Sequence, residues 1–329
     1  MAKYSSKYPI GRILGFSWLI VLAVLSYASV GSATGGNFVR NINYQNLSRW
    51  YLVHVPPGYS RQVATPVVLV LHGGGGNPYY IWQTTGMSNV ANNNTFIAVY
   101  PAGTTGPNGS LGGFLWNDGR PYVNGTYSPV DDVGFIVAVL NDLARILNID
   151  RSRIYASGFS NGALMCYRLA QQLPDQIAAI AAVAGQRAVD EIFPPPPWAV
   201  PLIHFHGLLD TIAPYFGGKS SVPSSMVAVF EPVPDTVASW ATHDGCCDPV
   251  EILRINKAVK TVYTPCPLTS EVVLWTLEDG GHTWPGESTG THVNRDISAS
   301  QEIWDFFKTK SKYTIAGFPN LRFSYRPRK

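Results

Sequence analysis

The sequence predicts an α/β fold in which helices flank a mostly parallel sheet, and two observations lead to this prediction. The first is a series of short apolar runs bounded by turn residues, a pattern typical of strands buried on both faces of a parallel sheet. These runs are 67–71 (VVLVL), 96–100 (FIAVY), 154–156 (IYA), 177–183 (IAAIAAV), 202–205 (LIHF) and 272–277 (VVLWTL). The second is the helical spacing of apolar residues between several of the runs. No internal repeat or linker divides the body of the chain, so we expect a single folded domain.

The clearest helix is predicted over residues 135–147, where apolar side chains recur with a period near 3.6 residues. Asp131 or Asp132 is expected to cap its N-terminus. A second helix is predicted to begin at Asn161, and others are expected over 236–242 and 298–307. Residues 51–55 (YLVHV) alternate in polarity and predict an antiparallel strand at the edge of the sheet. The stretch 101–130 is rich in Gly, Asn, Pro and Tyr and is expected to be a long functional surface loop.

The charges are unevenly distributed along the 329 residues, although the formal net charge is only +3. Residues 1–33 hold three basic groups and residues 308–329 hold seven, and neither segment contains an acidic residue. The body between them therefore carries 14 basic against 21 acidic groups, a charge of −7. A nucleic-acid-binding domain is not expected, because its positive charge should lie on the folded body. The hydrophobic content of 46% excludes a wholly disordered chain.

The N-terminus has the pattern of a secretory signal peptide. Three basic residues precede an uncharged, mostly apolar run of 13 residues (13–25), and small residues follow it. A membrane anchor is less consistent with this pattern, because a spanning helix needs about 20 apolar residues. We expect cleavage after Ala33, a catalytic domain over 34–310 and a disordered basic tail over 311–329. The mature protein is expected outside the cell, or in the periplasm if the source is bacterial, and free of the membrane.

The four cysteines are Cys166, Cys246, Cys247 and Cys266. Export would place them where disulfides persist. Either Cys246 or Cys247 could pair with Cys266, while Cys166 lies in an apolar helical setting and is expected to be a buried free thiol. No metal site is expected, because the sequence has no CxxC pair and no histidine at ligand spacing near the cysteines.

Residues 158–162 (GFSNG) match the pattern G-x-S-x-G, with a predicted strand before it and a predicted helix after it. In this context the pattern indicates a sharp strand-to-helix turn that exposes the hydroxyl of Ser160 as a nucleophile. The flanking glycines allow such a turn without a Cβ clash. A chance match in a glycine-rich chain is the alternative, and the flanking strand and helix argue against it.

A glycine-rich loop, 72–77 (HGGGGN), directly follows the predicted strand 67–71. The tetrahedral intermediate of ester chemistry carries an oxyanion that needs fixed N–H donors. We expect one donor from the backbone of Asn161 and another from Gly73 or Gly74. A phosphate-binding loop is excluded, because neither of its glycine patterns is present.

The base and the acid should follow Ser160 in the chain, the order typical of this kind of site. His282 lies in a glycine-rich loop after the last predicted strand and is the candidate base. Asp210 follows the predicted strand 202–205 and is the candidate acid that orients it. His204 and His206 lie within or at the end of that strand and are expected to be packed or hydrogen-bonded in the core. Competing candidates for the acid are Asp235, Asp248 and Asp279.

Seven segments together resemble the secreted polyhydroxybutyrate-depolymerase-type esterases, a group within the α/β-hydrolase superfamily that includes feruloyl and acetylxylan esterases. They are HGGGGN (72–77), VYPAGT (99–104), WN (116–117), DDVGF (131–135), ASGFSNGALM (156–165), HFHGLLD (204–210) and GGHTWPG (280–286). The resemblance spans about residues 45–310 and implies the α/β-hydrolase fold. It also implies that Ser160, Asp210 and His282 form a triad without a cofactor, and that Cys246 pairs with Cys266. Ala163 departs mildly from the family, which often has a second glycine there.

The predicted activity is therefore that of a secreted serine esterase, acting as a monomer on polyester or on feruloyl or acetyl esters of the plant cell wall. Trp116 and Trp284 are candidate walls of the substrate pocket, because an aromatic lining suits a feruloyl group or a polyester chain. A cutinase-like polyester hydrolase shares the triad but usually lacks the HGGGGN and GGHTWPG pairing. A non-catalytic binding protein predicts a lost triad residue, and none is lost.

Overall fold

The protein is described by a computed structural model that covers residues 35–105, 114–122, 124–125, 128–189, 195–222, 226–267 and 270–312. The chain divides into two compact units, Met1–Ser32 and Ala33–Lys329, and all of the described residues belong to the second unit. The predicted signal peptide, 1–33, lies outside the described residues, as do residues 313–329 of the predicted tail.

The strands follow one another as β1 (Gly36–Tyr44), β2 (Leu47–Val55), β3 (Thr65–Leu71), β4 (Ile97–Pro101), β5 (Ile149–Phe159), β6 (Ala179–Val183), β7 (Leu202–Gly207), β8 (Gly218–Lys219), β9 (Val229–Phe230), β10 (Pro249–Ile255), β11 (Ala258–Tyr263) and β12 (Val272–Leu277). Ten of them form one sheet in the order β1-β2-β4-β3-β5-β6-β7-β12-β11-β10. The neighbours from β4 to β12 in this order pair in parallel. The two strands at each end pair antiparallel.

The helices are α1 (Pro78–Thr85), α2 (Met87–Asn94), α3 (Asp132–Ile146), α4 (Asn161–Gln172), α5 (Val233–His243) and α6 (Ala299–Phe307). Side chains of α3, α4 and α5 share one core with the sheet, and those of α1, α2 and α6 share a second. Strand β3 shows why the central strands are apolar throughout. Val67 and Leu69 lie in the first core, while Val68 and Val70 lie in the second, so both faces of the sheet are covered. No helix in the described ranges has the length and apolar character needed to cross a bilayer.

Each predicted strand and helix lies within or overlaps one of these elements, with two kinds of difference. Residues 51–55 lie in an antiparallel strand, as predicted, but β1 pairs with its outer side, so this strand is not at the edge. Strands β1, β8, β9, β10 and β11 and helices α1 and α2 were not predicted. The sequence of α2, MSNVANNN, is poor in strong helix formers, and burial of Met87 and Ala91 in the second core holds it instead.

Candidate active site

The turn between β5 and α4 holds Ser160 in a backbone conformation that non-glycine residues rarely adopt, with φ 55° and ψ −120°. The Ser160 N–H donates to the Val183 carbonyl oxygen at 2.8 Å, which ties the turn to β6. A Cβ atom at Gly158 would lie 2.2 Å from the Gly162 carbonyl oxygen, and one at Gly162 would lie 2.4 Å from the Leu71 carbonyl oxygen. The glycines of the G-x-S-x-G pattern therefore allow the close packing that keeps Ser160 in this strained conformation.

Ser160, His282 and Asp210 form a hydrogen-bonded chain. The His282 Nε2 is 2.9 Å from the Ser160 Oγ, and the His282 Nδ1 is 2.8 Å from the Asp210 Oδ2. The three residues follow β5, β12 and β7, whose carboxyl ends meet at one edge of the sheet. Asp210 is buried and His282 is 13% exposed, so the imidazole can reach both the carboxylate and an incoming substrate. With Nδ1–H donating to Asp210, Nε2 is free to accept the proton of the Ser160 hydroxyl.

The loops that carry Asp210 and His282 are joined directly. The Leu209 N–H donates to the Gly280 carbonyl oxygen at 2.8 Å. A Cβ atom at Gly207 would lie 2.1 Å from the same oxygen, so this approach requires glycine at position 207. The motif H-G-L-L-D thus provides both the acid and the space for the loop of the base.

Asp210 is held as a carboxylate. Burial favours its neutral form, but hydrogen bonds from His206 and His282 outweigh that effect and hold the pKa of the carboxyl well below its usual value. Its other oxygen, Oδ1, accepts from the backbone N–H groups of Ile212 and Ala213, each at 2.8 Å. The negative charge can therefore stabilise an imidazolium that forms on His282.

The glycine-rich loop after β3 lies beside the nucleophile turn. A Cβ atom at Gly73 would lie 3.3 Å from the Ser160 Cβ, and one at Gly74 would lie 3.7 Å from the Asn161 Cβ. Asn161 is the first residue of α4, where backbone N–H groups have no partner within the helix. The backbone N–H groups of Gly73, Gly74 and Asn161 are thus close enough together to serve as candidate donors to one oxyanion.

His72 holds the conformation of this loop. The Gly103 N–H donates to the His72 Nε2 at 3.0 Å, so Nδ1 carries the proton and donates to the Gly73 carbonyl oxygen at 2.8 Å. The Gly76 N–H donates to the same oxygen at 3.0 Å. Burial lowers the pKa of His72 to about 4, so the ring is neutral. Because C=O and N–H point in opposite directions across a trans peptide, these bonds also direct the Gly74 N–H.

The side chain of Asn161 is held by residues 116–118. The Trp116 N–H donates to the Asn161 Oδ1 at 2.8 Å, and the Asn161 Nδ2 donates to the Trp116 carbonyl oxygen at 3.1 Å and to the Asp118 Oδ2 at 2.6 Å. Asp118 also forms a buried ion pair with Arg120 at 2.6 Å. The Trp116 Nε1 donates to the His72 carbonyl oxygen at 2.9 Å. Residues 116–118 belong to the stretch 101–130 that was predicted as a surface loop, but they are buried and contact both Asn161 and His72.

A family model described as Phospholipase/Carboxylesterase matches residues 59–230, which include the glycine-rich loop, Ser160 and Asp210. The chain belongs to this family. Its likeness to a solved structure, the acetyl xylan esterase from Aspergillus awamori, shows the same fold, with a TM-score of 0.58 at 12% identity over 82% of this chain and 99% of the other. The predicted α/β-hydrolase fold and the predicted class, a carboxylic ester hydrolase, are both confirmed.

Curated relatives of this member of the carboxylesterase family include a probable feruloyl esterase and a poly(3-hydroxyalkanoate) depolymerase. The probable feruloyl esterase C of Aspergillus clavatus is 28% identical over 309 residues, which are 90% of this chain and 96% of that protein. Poly(3-hydroxyalkanoate) depolymerase C of Paucimonas lemoignei is 30% identical over 174 residues, 53% of this chain and 39% of that protein. The resemblance inferred from the sequence motifs is confirmed by these matches.

The two tryptophans predicted as pocket walls do not reach the surface. Trp116 and Trp284 are each 1% exposed, and the Trp284 Nε1 donates to the Ser300 Oγ at 3.1 Å. Both rings pack in the interior and form hydrogen bonds, and their predicted contact with substrate stays a prediction. Aromatic rings that are accessible lie instead near the glycine-rich loop, where Tyr79 is 48% exposed and its ring is 5.5 Å from that of Trp50.

The cysteines agree with the sequence expectations. Cys246 and Cys266 form the disulfide that the family resemblance implied, which joins the end of α5 to the segment after β11. Cys166 is a buried free thiol and Cys247 is exposed and free. Within the described ranges, the side chains of His, Cys, Asp and Glu form no group of three or more that could hold a metal ion.

Two features of the site were missed by sequence reasoning. His72 was considered only as the first residue of the glycine-rich loop, and its bonds to Gly73 and Gly103 were not foreseen. His206 was expected to be a core residue, and it is buried, but its contact with Asp210 was not foreseen. The sequence signal for this contact was the short separation of His206 and Asp210, which lie four residues apart in HGLLD.

Proposed function

We propose that the protein is a secreted serine esterase whose triad is Ser160, His282 and Asp210. The observation that carries the proposal is the continuous hydrogen-bond chain, with heavy-atom distances of 2.9 Å and 2.8 Å, from a strained Ser160 to a buried carboxylate. The proposed enzyme is a monomer. It needs no metal or cofactor, because each role in acyl transfer has a protein group.

In the first step the Ser160 Oγ attacks the ester carbonyl carbon as its proton passes to the His282 Nε2. The negative charge moves to the carbonyl oxygen, where the N–H groups of Asn161 and of Gly73 or Gly74 stabilise it. His282 then gives its proton to the departing alcohol, which leaves an acyl-enzyme. In the second step His282 removes a proton from water, which attacks the acyl carbon, and His282 then returns this proton to the departing Ser160 Oγ, releasing the acid and free Ser160.

The proposed substrates are esters attached to polymers: feruloyl or acetyl esters of the plant cell wall, or polyhydroxyalkanoate-type polyesters. The names of the curated relatives support both groups. Accessible apolar side chains near the triad support an aromatic or polymeric substrate. Tyr79 and Tyr80 are 48% and 51% exposed beside the glycine-rich loop, and Leu209, next to Asp210, is 48% exposed.

The proposal also assigns residues 1–33 to a cleaved signal peptide, 34–310 to the catalytic domain and 311–329 to a basic tail. The disulfide between Cys246 and Cys266 supports export, because disulfides persist in oxidising compartments. N-terminal sequencing of the exported protein tests the assignment, and a mature chain that still contains residues 1–33 would contradict it.

The decisive experiment replaces Ser160 with alanine and measures hydrolysis of p-nitrophenyl acetate. We expect kcat to fall by at least about 10⁴-fold, since the acyl-enzyme can no longer form. Ser288→Ala, at an exposed position, is the matched control and should keep full activity. A fluorophosphonate should label the unchanged protein but not the Ser160 variant. Unchanged turnover after S160A would refute the triad, and no labelling of the unchanged protein would favour a binding protein.

A substrate panel then separates the candidate substrates. Methyl ferulate, acetylated xylan, polyhydroxybutyrate and short p-nitrophenyl esters are compared by kcat/KM. Turnover of polyhydroxybutyrate alone would support the polyester function, and preference for methyl ferulate or acetylated xylan would support the cell-wall function. Activity on none of the polymers or feruloyl esters would refute the proposed substrate class while leaving the esterase chemistry intact.

A further inference from the structure

A line of buried side chains continues from Asp210 into the core, on the side away from His282. The His206 Nε2 is 3.3 Å from the Asp210 Oδ2 and 2.7 Å from the Ala213 carbonyl oxygen. On the other side of the ring, the His206 Nδ1 is 3.0 Å from the His204 Nε2. The His204 Nδ1 is in turn 2.8 Å from the Tyr167 hydroxyl oxygen. His204 and His206 are 0% and 1% exposed, so water does not compete for these contacts.

The carbonyl oxygen of Ala213 determines where the protons of this line reside. A carbonyl only accepts, so the His206 Nε2 must carry a proton. One proton lies between the His206 Nδ1 and the His204 Nε2, which are 3.0 Å apart, and the His204 Nδ1 pairs with the Tyr167 hydroxyl at 2.8 Å. Burial and the neighbouring His206 lower the pKa of His204 well below its ordinary value, which agrees with a neutral ring. The His206 Nε2–H is thus directed toward the Ala213 carbonyl oxygen at 2.7 Å and faces the Asp210 Oδ2 at 3.3 Å.

This direction gives the Asp210 carboxylate a donor that the triad itself does not provide. The Oδ2 atom that receives the His282 Nδ1–H at 2.8 Å also faces the His206 Nε2–H at 3.3 Å. The Oδ1 atom receives the N–H groups of Ile212 and Ala213. With donors on both oxygens, rotation of the carboxylate would break several charge-assisted hydrogen bonds at once.

The line also returns to the nucleophile. Tyr167 lies on α4, the helix that begins directly after Ser160. A closed path therefore runs from Ser160 along α4 to Tyr167, through His204 and His206 to Asp210, and through His282 back to Ser160. The links that are not covalent are hydrogen bonds, except for the 3.3 Å contact between the His206 Nε2 and the Asp210 Oδ2. The positions of acid and nucleophile therefore depend on one another.

We infer that His206 is a positioning residue for the proposed catalytic acid, held as an Nε2–H donor to Asp210 by His204 and Tyr167. The inference rests on the proposed function, because it concerns the same triad. His206 touches no reacting atom. Its contribution is to fix the carboxylate orientation that His282 needs in order to take the proton of Ser160.

The test compares two amides at position 206. In His206→Gln the side-chain amide reaches the place of Nε2 and keeps a donor near Asp210. In His206→Asn the shorter amide reaches only the place of Nδ1. The measured quantity is kcat per active site titrated with a fluorophosphonate, so unfolded protein does not contribute. We expect H206N to lower kcat by about 10- to 100-fold, the loss of one hydrogen bond to a charged group, with KM little changed. H206Q should keep kcat within a few-fold.

Two further measurements separate positioning from a general structural role. In the Asp210→Asn background, H206N should lower kcat no further, because the group that it positions has already lost its charge. The far-downfield proton resonance of the His282 Nδ1–H should move in H206N and stay in H206Q. Equal kcat values for H206N and H206Q, or independent losses in the D210N background, would overturn the inference. An inactive S160A with a fully active H206N would leave the proposed function standing and remove only this inference.

Discussion

The candidate site has two halves, the oxyanion donors and the acid–base pair, and each contains a buried histidine. The two histidines differ in the group that they contact. In the oxyanion half, His72 donates to the Gly73 carbonyl oxygen and so orients uncharged backbone groups. In the acid–base half, His206 faces the carboxylate of Asp210. In both halves a buried imidazole has its Nε2 paired with a backbone group, and the ring lies next to the backbone of Gly73 on one side and next to a carboxylate on the other.

The partners of the two rings are opposite in kind. The Gly103 N–H donates to the Nε2 of His72, which leaves Nδ1 as the donor. The Ala213 carbonyl oxygen accepts from the Nε2 of His206, which makes Nε2 the donor. The amide of asparagine reaches the place of Nδ1, and the amide of glutamine reaches the place of Nε2. Asparagine should therefore replace the donor at position 72, and glutamine should replace it at position 206.

The largest effect is expected in the acid–base half, from Asp210→Asn. The amide removes the charge that stabilises the imidazolium and favours the wrong tautomer of His282, so kcat should fall by about 10⁴-fold with KM little changed. Asp235→Asn, at an exposed position in the first turn of α5, is the matched control. A loss of less than tenfold in D210N on p-nitrophenyl acetate would mean that another carboxylate orients the base.

A smaller effect is expected in the oxyanion half, from the pair His72→Asn and His72→Gln. Asparagine keeps a donor for the Gly73 carbonyl oxygen but leaves the buried Gly103 N–H without its acceptor. Glutamine keeps that acceptor but loses the donor. We expect H72Q to be the more stable of the two in urea and yet to have a kcat about tenfold lower, near the value of one neutral hydrogen bond. The opposite order of kcat would show that the Gly73 carbonyl does not control the oxyanion donors.

His72 and Asp210 should contribute to stability in different pH ranges. The pKa of His72 falls from 6.5 to about 4 on folding, so the unfolded chain binds the additional proton in that range. The free energy of unfolding therefore decreases as pH falls from 6.5 to 4, by about 3 kcal/mol for this ring. The pKa of Asp210 lies below its usual value in the folded state, so its contribution is present above about pH 4 and is lost only below that.

Urea unfolding at pH 7, 5, 4 and 3 measures this difference. H72Q should flatten the pH dependence between 6.5 and 4, where His204 still contributes because its pKa is also lowered. D210N should flatten it below pH 4. Variants whose curves run parallel to that of the unchanged protein would show that neither group is linked to folding in this way.

Residues close together in the sequence made most of the site predictable. The strand, the G-x-S-x-G pattern and the following helix specify the turn at Ser160, because glycine spacing and strand ends are local properties. The candidate base and acid were found from their positions after late strands. The burial of the two tryptophans was not predictable, because nothing local to Trp116 or Trp284 shows that a second element covers each ring. Burial depends on which elements pack together.

The sequence by itself determined the fold class, the order of Ser160, Asp210 and His282, and the glycine-rich loop, because apolar periodicity and turn residues act over a few positions. Only the tertiary structure decided the contacts that make these residues one site. The Ser160–His282 bond joins residues 122 apart in the chain, and Tyr167 meets His204 across 37 residues. Such contacts arise when parallel strands bring their carboxyl ends to one edge, and no local pattern specifies which side chains then meet.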